Sequence, residues 1–247
     1  MSTFEETLSA LDGALAVRGF TRARRFGGLR WHGESHQRAC VVTVMPLSRT
    51  RYAGEVRLRR RIGYKLTLEI AVDVRVHLYF VRASFAANRL VALIYRLRNL
   101  TVLDTPQVVP GFSIVTNDIT WASMFTERAD AMQETATLIN ERASSTFAGS
   151  VYLAPRTDRG TACHGSPVLQ LADLTAARVT QAVESLAVIA RAADSLPAPA
   201  SMVRLGRLQR LAERHPFLAV AGLFVAALTV LGLGGLLAIL LVVALMA

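Results

Sequence analysis

The chain predicts an α+β domain, with helices packed on a mainly antiparallel sheet, followed by a C-terminal transmembrane helix. Three observations carry this expectation. Residues from Lys65 to Phe80 alternate polar and apolar without a break, and period two over that length means a strand with one buried and one wet face, the antiparallel pattern. Stretches with helical spacing of apolar residues lie before, between and after strand-like segments, which places helices against a sheet rather than in a separate bundle. The run Pro216–Ala247 contains no charged residue, and a spanning helix needs about 20 apolar residues.

The elements follow in order. Phe4, Leu8, Leu11 and Leu15 mark a first amphipathic helix, with Thr3 and Glu6 fitting a capping box and Gly19 stopping it. Arg30-Trp31-His32 reads as a strand, Gly33-Glu34-Ser35 as a turn, and Ala39–Met45 as the returning strand. A second turn is expected at Ala53-Gly54. Leu66, Leu68, Ile70, Val72, Val74, Val76, Leu78 and Phe80 form the buried face of the long alternating segment, which is one strand or two in-phase strands bent near Asp73. Ser84 is placed to cap a helix reaching Arg98, with Leu90, Leu93, Ile94 and Leu97 inward. A short strand at Val108-Val109 and another at Gly111–Val115 lead to Asp118, the cap of a helix or helix pair ending near Glu141. Phe147–Leu153 is a further strand, and Ala154–Pro167 reads as a loop rich in Gly and Pro. A long helix from Asp173 to Ser195 turns Val179, Val183, Leu186, Ala190 and Ala193 inward and Gln181, Glu184, Arg191 and Asp194 outward. Residues 1–196 are thus one α+β domain, 197–215 a linker and basic juxtamembrane segment, and 216–247 the anchor.

Thirty-two helical residues reach about 48 Å at 1.5 Å each, more than a hydrocarbon core of about 30 Å; tilt absorbs the excess. Gly232, Gly234 and Gly235 leave a re-entrant hairpin as the alternative, disfavoured because its turn would expose unsatisfied backbone to lipid. Arg204, Arg207, Arg210 and Arg214 fall on one side of a preceding helix, Leu205, Leu208 and Leu211 beside them, the pattern of an interfacial segment at headgroup depth. Arginines flanking a span stay on the cytoplasmic side. The N-terminus lacks a basic leader and carries Glu5 and Glu6, unlike a signal peptide. The expected location is a plasma (inner) membrane, single-pass, with the main domain cytoplasmic.

The net charge of +10 is unevenly spread. Val17–Leu100 holds seventeen Arg and one Lys against four acids, a net of +14, whereas Thr101–Val203 is net −4. Such asymmetry points to an anionic partner, lipid headgroups or nucleic acid, with a plain solvated face as the alternative. Arg57, Arg59, Arg60 and Arg61 form the densest basic run and, with Arg204, Arg207, Arg210 and Arg214, are the expected anionic-surface contacts. Trp31, Tyr52 and Tyr64 near that run also suit nucleic acid, though no known module surrounds them.

Catalytic chemistry finds less support. His32, His36 and Cys40 have metal-ligand identities at spacing four, but Gly33 and the strand pattern oppose a helix that would gather them, and HGESH is not HExxH. Cys163-His164 is a nucleophile beside a base in sequence, which supplies neither convergence nor an orienting group. His77 is expected on a solvated face. No phosphate-binding glycine fingerprint occurs. No catalytic residue, cofactor or metal is expected, and the two cysteines are expected to be free thiols of a reducing compartment.

Arg18-Gly19-Phe20 ending the first helix, Trp31-His32-Gly33, Ala39–Met45, the stretch Gly111–Asp118 before a Trp-containing helix, and Leu196-Pro197-Ala198-Pro199 resemble a group of bacterial membrane-associated α+β domains with no established activity. The resemblance covers most of residues 4–199 and implies fold class and bacterial origin, with no functional residues to carry over. The expected function is a membrane-anchored, cytoplasm-facing binding or scaffolding domain. A membrane-tethered hydrolase or other enzyme using the Gly33–Cys40 and Ala162–Gly165 loops is the second reading, and a tethered nucleic-acid binder the third.

Overall fold

A computed structural model describes residues 4–25, 28–53, 56–103, 109–140, 149–156, 159–200 and Thr229. The first compact unit ends at Val203. Its elements are α1 (Phe4–Val17), β1 (Thr21–Arg25), β2 (Gly28–Ser35), β3 (Arg38–Ala53), β4 (Val56–Val72), β5 (Leu78–Arg82), α2 (Ala83–Ala86), α3 (Arg89–Leu97), β6 (Thr101–Leu103), β7 (Phe112–Thr116), α4 (Ile119–Thr126), α5 (Ala129–Asn140), β8 (Ser150–Pro155), β9 (Gly160–Gly165) and α6 (Ala176–Asp194), with a 3₁₀ turn at Leu171–Asp173. The strands form one sheet in the order β1-β2-β3-β4-β9-β8-β5-β7-β6, every pairing antiparallel. The α+β expectation holds for this unit.

The alternating segment behaves as its periodicity demands. All eight apolar residues from Leu66 to Phe80 are buried, and a bend at Asp73 separates β4 from β5. Their common face packs against α1, α4, α5 and α6 in one core with Trp31, Trp121, Phe125 and Leu186. The end of the first helix is closed by Phe20 N–H to Leu15 O (3.0 Å) and Gly19 N–H to Ala16 O (2.9 Å), with Arg18 N–H also donating to Leu15 O (3.0 Å). Gly19 sits at φ +80, the left-handed C′ position of a Schellman motif. Trp31 Nε1 donates to Asp12 Oδ1 at 2.7 Å, fixing α1 over β2. Asp118 caps α4 as expected, its Oδ1 accepting from Trp121 N at 3.0 Å.

Several expectations are corrected. The first hairpin turns at His36-Gln37, both at positive φ, the geometry of a type I′ turn. Gly33 instead lies inside β2, because the Phe20 ring packs where its Cβ would stand, 2.6 Å away. The helix from Ser84 to Arg98 is two helices; Asn88, not Ser84, caps the longer one through Leu90 N at 3.0 Å. Leu90, Leu93, Ile94 and Leu97 face out rather than in. Val109 is buried in a bend, Val108 lies outside the described residues, and the strand at that stage is β6. The loop expected from Ala154 to Pro167 contains β9, a central strand buried along its whole length. Its Gly160 is required by close approach, since a Cβ there would meet Val74 O at 1.8 Å.

Asp194 is also corrected. Expected outside, its carboxylate is 9% exposed and ion-pairs with Arg38. Its Oδ1 accepts from Asp73 N at 2.7 Å and Val74 N at 3.4 Å. It ties the end of α6 to the β4–β5 bend. Among the described residues no helix is long and apolar enough to cross a membrane. The Pro216–Ala247 run and Arg204, Arg207, Arg210 and Arg214 lie outside those residues, apart from Thr229.

Candidate anionic-surface interface

Strands β3 and β4 are much longer than their neighbours, and their distal halves pair with each other from Ser48↔Arg61 to Ala53↔Val56. Pairing with β9 covers β4 no further out than Thr67, so the distal part is a two-stranded ribbon. Its base is set by a shift of register between Leu47 and Ser48 beside Gly63, φ +152, where a Cβ would lie 2.5 Å from Leu169 O. A bulge at a sheet margin re-aims the side chains beyond it.

The sequence of this ribbon, Ser48 to Ile62, carries six Arg and one acid, Glu55. Of the four arginines expected here, Arg57, Arg60 and Arg61 are exposed, as are the neighbouring Leu58 and Ile62; Arg59 pairs with Thr50 in the ladder. Arg49 and Arg60 stand directly opposite one another. Like charges in that position are destabilising, a cost an anion between them would reverse. Both line a cavity of about 570 Å³ completed by Leu58, Arg61, Ile62 and Gln170.

Arg61 is held in place. Its Nη1 donates to Tyr64 Oη at 3.0 Å, and its guanidinium lies 5.6 Å from the Tyr64 ring centroid and 5.9 Å from that of Phe4. Those rings stack on each other at 5.6 Å. An arginine fixed by aromatic faces loses less freedom on meeting an anion than one on a free stem. Spacing alone revealed the arginines; the Phe4–Tyr64 clamp joins residues far apart in sequence and was not foreseeable.

The other candidates do not converge. Cys40 is buried on the helix-bearing face of the sheet and Gly33 is its partner across the ladder. His32, the next residue of β2, is exposed on the other face. His36 sits in the turn, bonded to Glu184 Oε2 at 3.0 Å. That bond and Arg18 hold the Glu184 carboxyl below its usual range. Cys163 and His164 are successive residues of β9 and therefore point to opposite faces. Burial pushes both thiols up to about 12 and the His164 imidazole down to about 4, so neither thiolate nor imidazolium forms at neutral pH. His77, expected in solvent, is half-buried and shares a 2.8 Å hydrogen bond with Tyr79 Oη. Burial lowers it to about 4, with help from Arg98. Among the described residues no group of three or more His, Cys, Asp or Glu is placed to hold a metal ion.

No family model matches the chain, and comparison with curated proteins and with solved structures finds no significant match.

Proposed function

We propose that the protein is a membrane-anchored binding or scaffolding protein of a bacterial plasma membrane, held by Pro216–Ala247, whose cytoplasmic domain binds anionic lipid headgroups through the Arg57–Arg61 ribbon. The observation that carries this reading is the cross-strand pair Arg49 and Arg60, two like charges on one face of the ribbon that an anion would relieve, with the clamped Arg61 next in the strand. The basic residues Arg204, Arg207, Arg210 and Arg214 before the apolar run extend the same preference toward the bilayer. A two-stranded basic ribbon also fits a nucleic-acid groove, which makes nucleic acid the competing ligand.

The test compares the full chain with one ending at His215, just before the apolar run. The full chain should resist high-salt and carbonate extraction, and the shortened chain should not. The shortened chain should bind vesicles containing phosphatidylglycerol far better than neutral ones, and less as salt rises. Changing Arg57, Arg60 and Arg61 to Gln should abolish most of that difference. Binding indifferent to lipid charge would refute the assignment, and steeply salt-dependent binding to RNA or DNA without lipid binding would replace it.

A further inference from the structure

Helix α3 buries none of its residues, yet it is strongly amphipathic. Leu90, Leu93, Ile94 and Leu97 are 72%, 52%, 52% and 76% exposed, and Phe85 in α2 is 56% exposed. At about 100° per residue these four fall in one sector of roughly 100°. Arg98 lies roughly 40° beyond one border of the sector, and Arg89 and Arg96 lie roughly 40–60° beyond the other. The half-buried Val91 and Tyr95 form the side that meets the domain. The ordinary solution for such a helix is to bury its apolar stripe in the core; here the stripe points outward.

The place of α3 in the fold is equally unusual. Leu78 and Phe80 point into the core with α1 and α6, so Tyr79 belongs to the opposite face of the sheet. Arg98 reaches Tyr79 there, which sets α3 on that second face, its stripe turned away from the sheet. Between Val74 and Leu103 the sequence has five Arg and no acid. The alternating directions of β4, β9, β8 and β5 put Arg82, where α2 begins, toward the same end of the sheet as Arg57–Arg61.

We infer that α3 is an interfacial membrane helix, which lays Leu90, Leu93, Ile94 and Leu97 into the headgroup–acyl boundary of an anionic bilayer while Arg89 and Arg96 contact lipid phosphates. An apolar sector bordered by Arg89 and Arg96 is what such a boundary accepts, since the long side chains reach back to the headgroups. Arginine at the border of the stripe, with no acid in the sequence from Val74 to Leu103, selects an anionic surface over a protein partner of mixed charge. This inference rests on the membrane-bound reading above and adds a second, shallow contact to it.

The test uses the full chain reconstituted in vesicles, with Leu93→Cys carrying an environment-sensitive fluorophore and Gln181→Cys, exposed on α6, as control. In vesicles containing phosphatidylglycerol the Leu93 label should shift to the blue and lose most of its emission to lipids bearing a nitroxide near the headgroup; the Gln181 label should do neither. Neutral vesicles, or Arg89→Glu with Arg96→Glu, should abolish the response at Leu93. A Leu93 label that stays in water in phosphatidylglycerol vesicles overturns the inference, even where the chain resists carbonate. A shift that tracks protein density and ignores lipid charge also overturns it, in favour of a second copy of this chain. A chain that carbonate extracts but whose Leu93 label still reads anionic lipid upholds α3 and refutes the anchor.

Discussion

Replacing Asp194 with Ala should cost the domain about 3 kcal/mol. The carboxylate serves three groups at once: the Asp73 and Val74 amides and the Arg38 guanidinium. Removing one member of a buried pair costs about 3–5 kcal/mol, because the other is left without a partner. Arg38 is 23% exposed and keeps a long contact with Ala71 O at 3.5 Å, so water and that carbonyl relieve part of its loss and the low end applies. Asp194→Asn retains an acceptor for the 2.7 Å bond from Asp73 and gives up the ion pair, a loss of about 1 kcal/mol. Urea unfolding of the full chain in mild detergent measures both, read by the emission of Trp31 and Trp121, which are buried. Arg38→Gln in each background isolates the pairwise part. Equal losses for Asp194→Ala and Asp194→Asn, or a loss below about 0.5 kcal/mol for Ala, would show that the α6 terminus is not fastened as described.

Stability should also fall as pH is lowered from about 6.5 toward 4. His164 has its folded value depressed to about 4, so the unfolded chain binds the extra proton in that window and acid favours unfolding, by up to about 3 kcal/mol. His77 acts in the same direction, while the lowered Glu184 carboxyl contributes only further down, below about 4.5. Urea midpoints at pH 7 and 5 test this, and a curve flat across that interval would contradict it. The two thiols, buried and pushed up to about 12, should resist maleimide at pH 7.5 and react promptly in denaturant; rapid native labelling of either would place it at the surface.

What the sequence revealed depended on which physical signal each element carries. The Lys65–Phe80 alternation reports one wet and one dry face, and it located β4, the bend and β5. The strand β9 carries no such contrast: Gly-Thr-Ala-Cys-His-Gly is covered on both sides, and its small residues and glycines resemble a loop. The stripe of α3 was visible as a period, but a period gives the angular spacing of apolar residues and not the direction in which the tertiary fold turns them. For the interface, charge density found Arg57, Arg60 and Arg61, whereas the facing of Arg49 and Arg60 depends on ladder register, which follows a bulge that Gly63 does not announce.

The two margins of the sheet have a consequence for how many copies of the molecule can live side by side. An open strand edge is a template for another chain's strand. Here the ends of the strand order are Thr21–Arg25, of sequence TRARR, and Thr101–Leu103, three residues long, while the open edges of the β3–β4 ribbon carry six Arg. The first would meet a neighbour with repulsion, and the second is too short to seed a ladder. Sheets of this protein should therefore remain separate at high concentration, free of the cross-molecular strand exchange that begins fibrils.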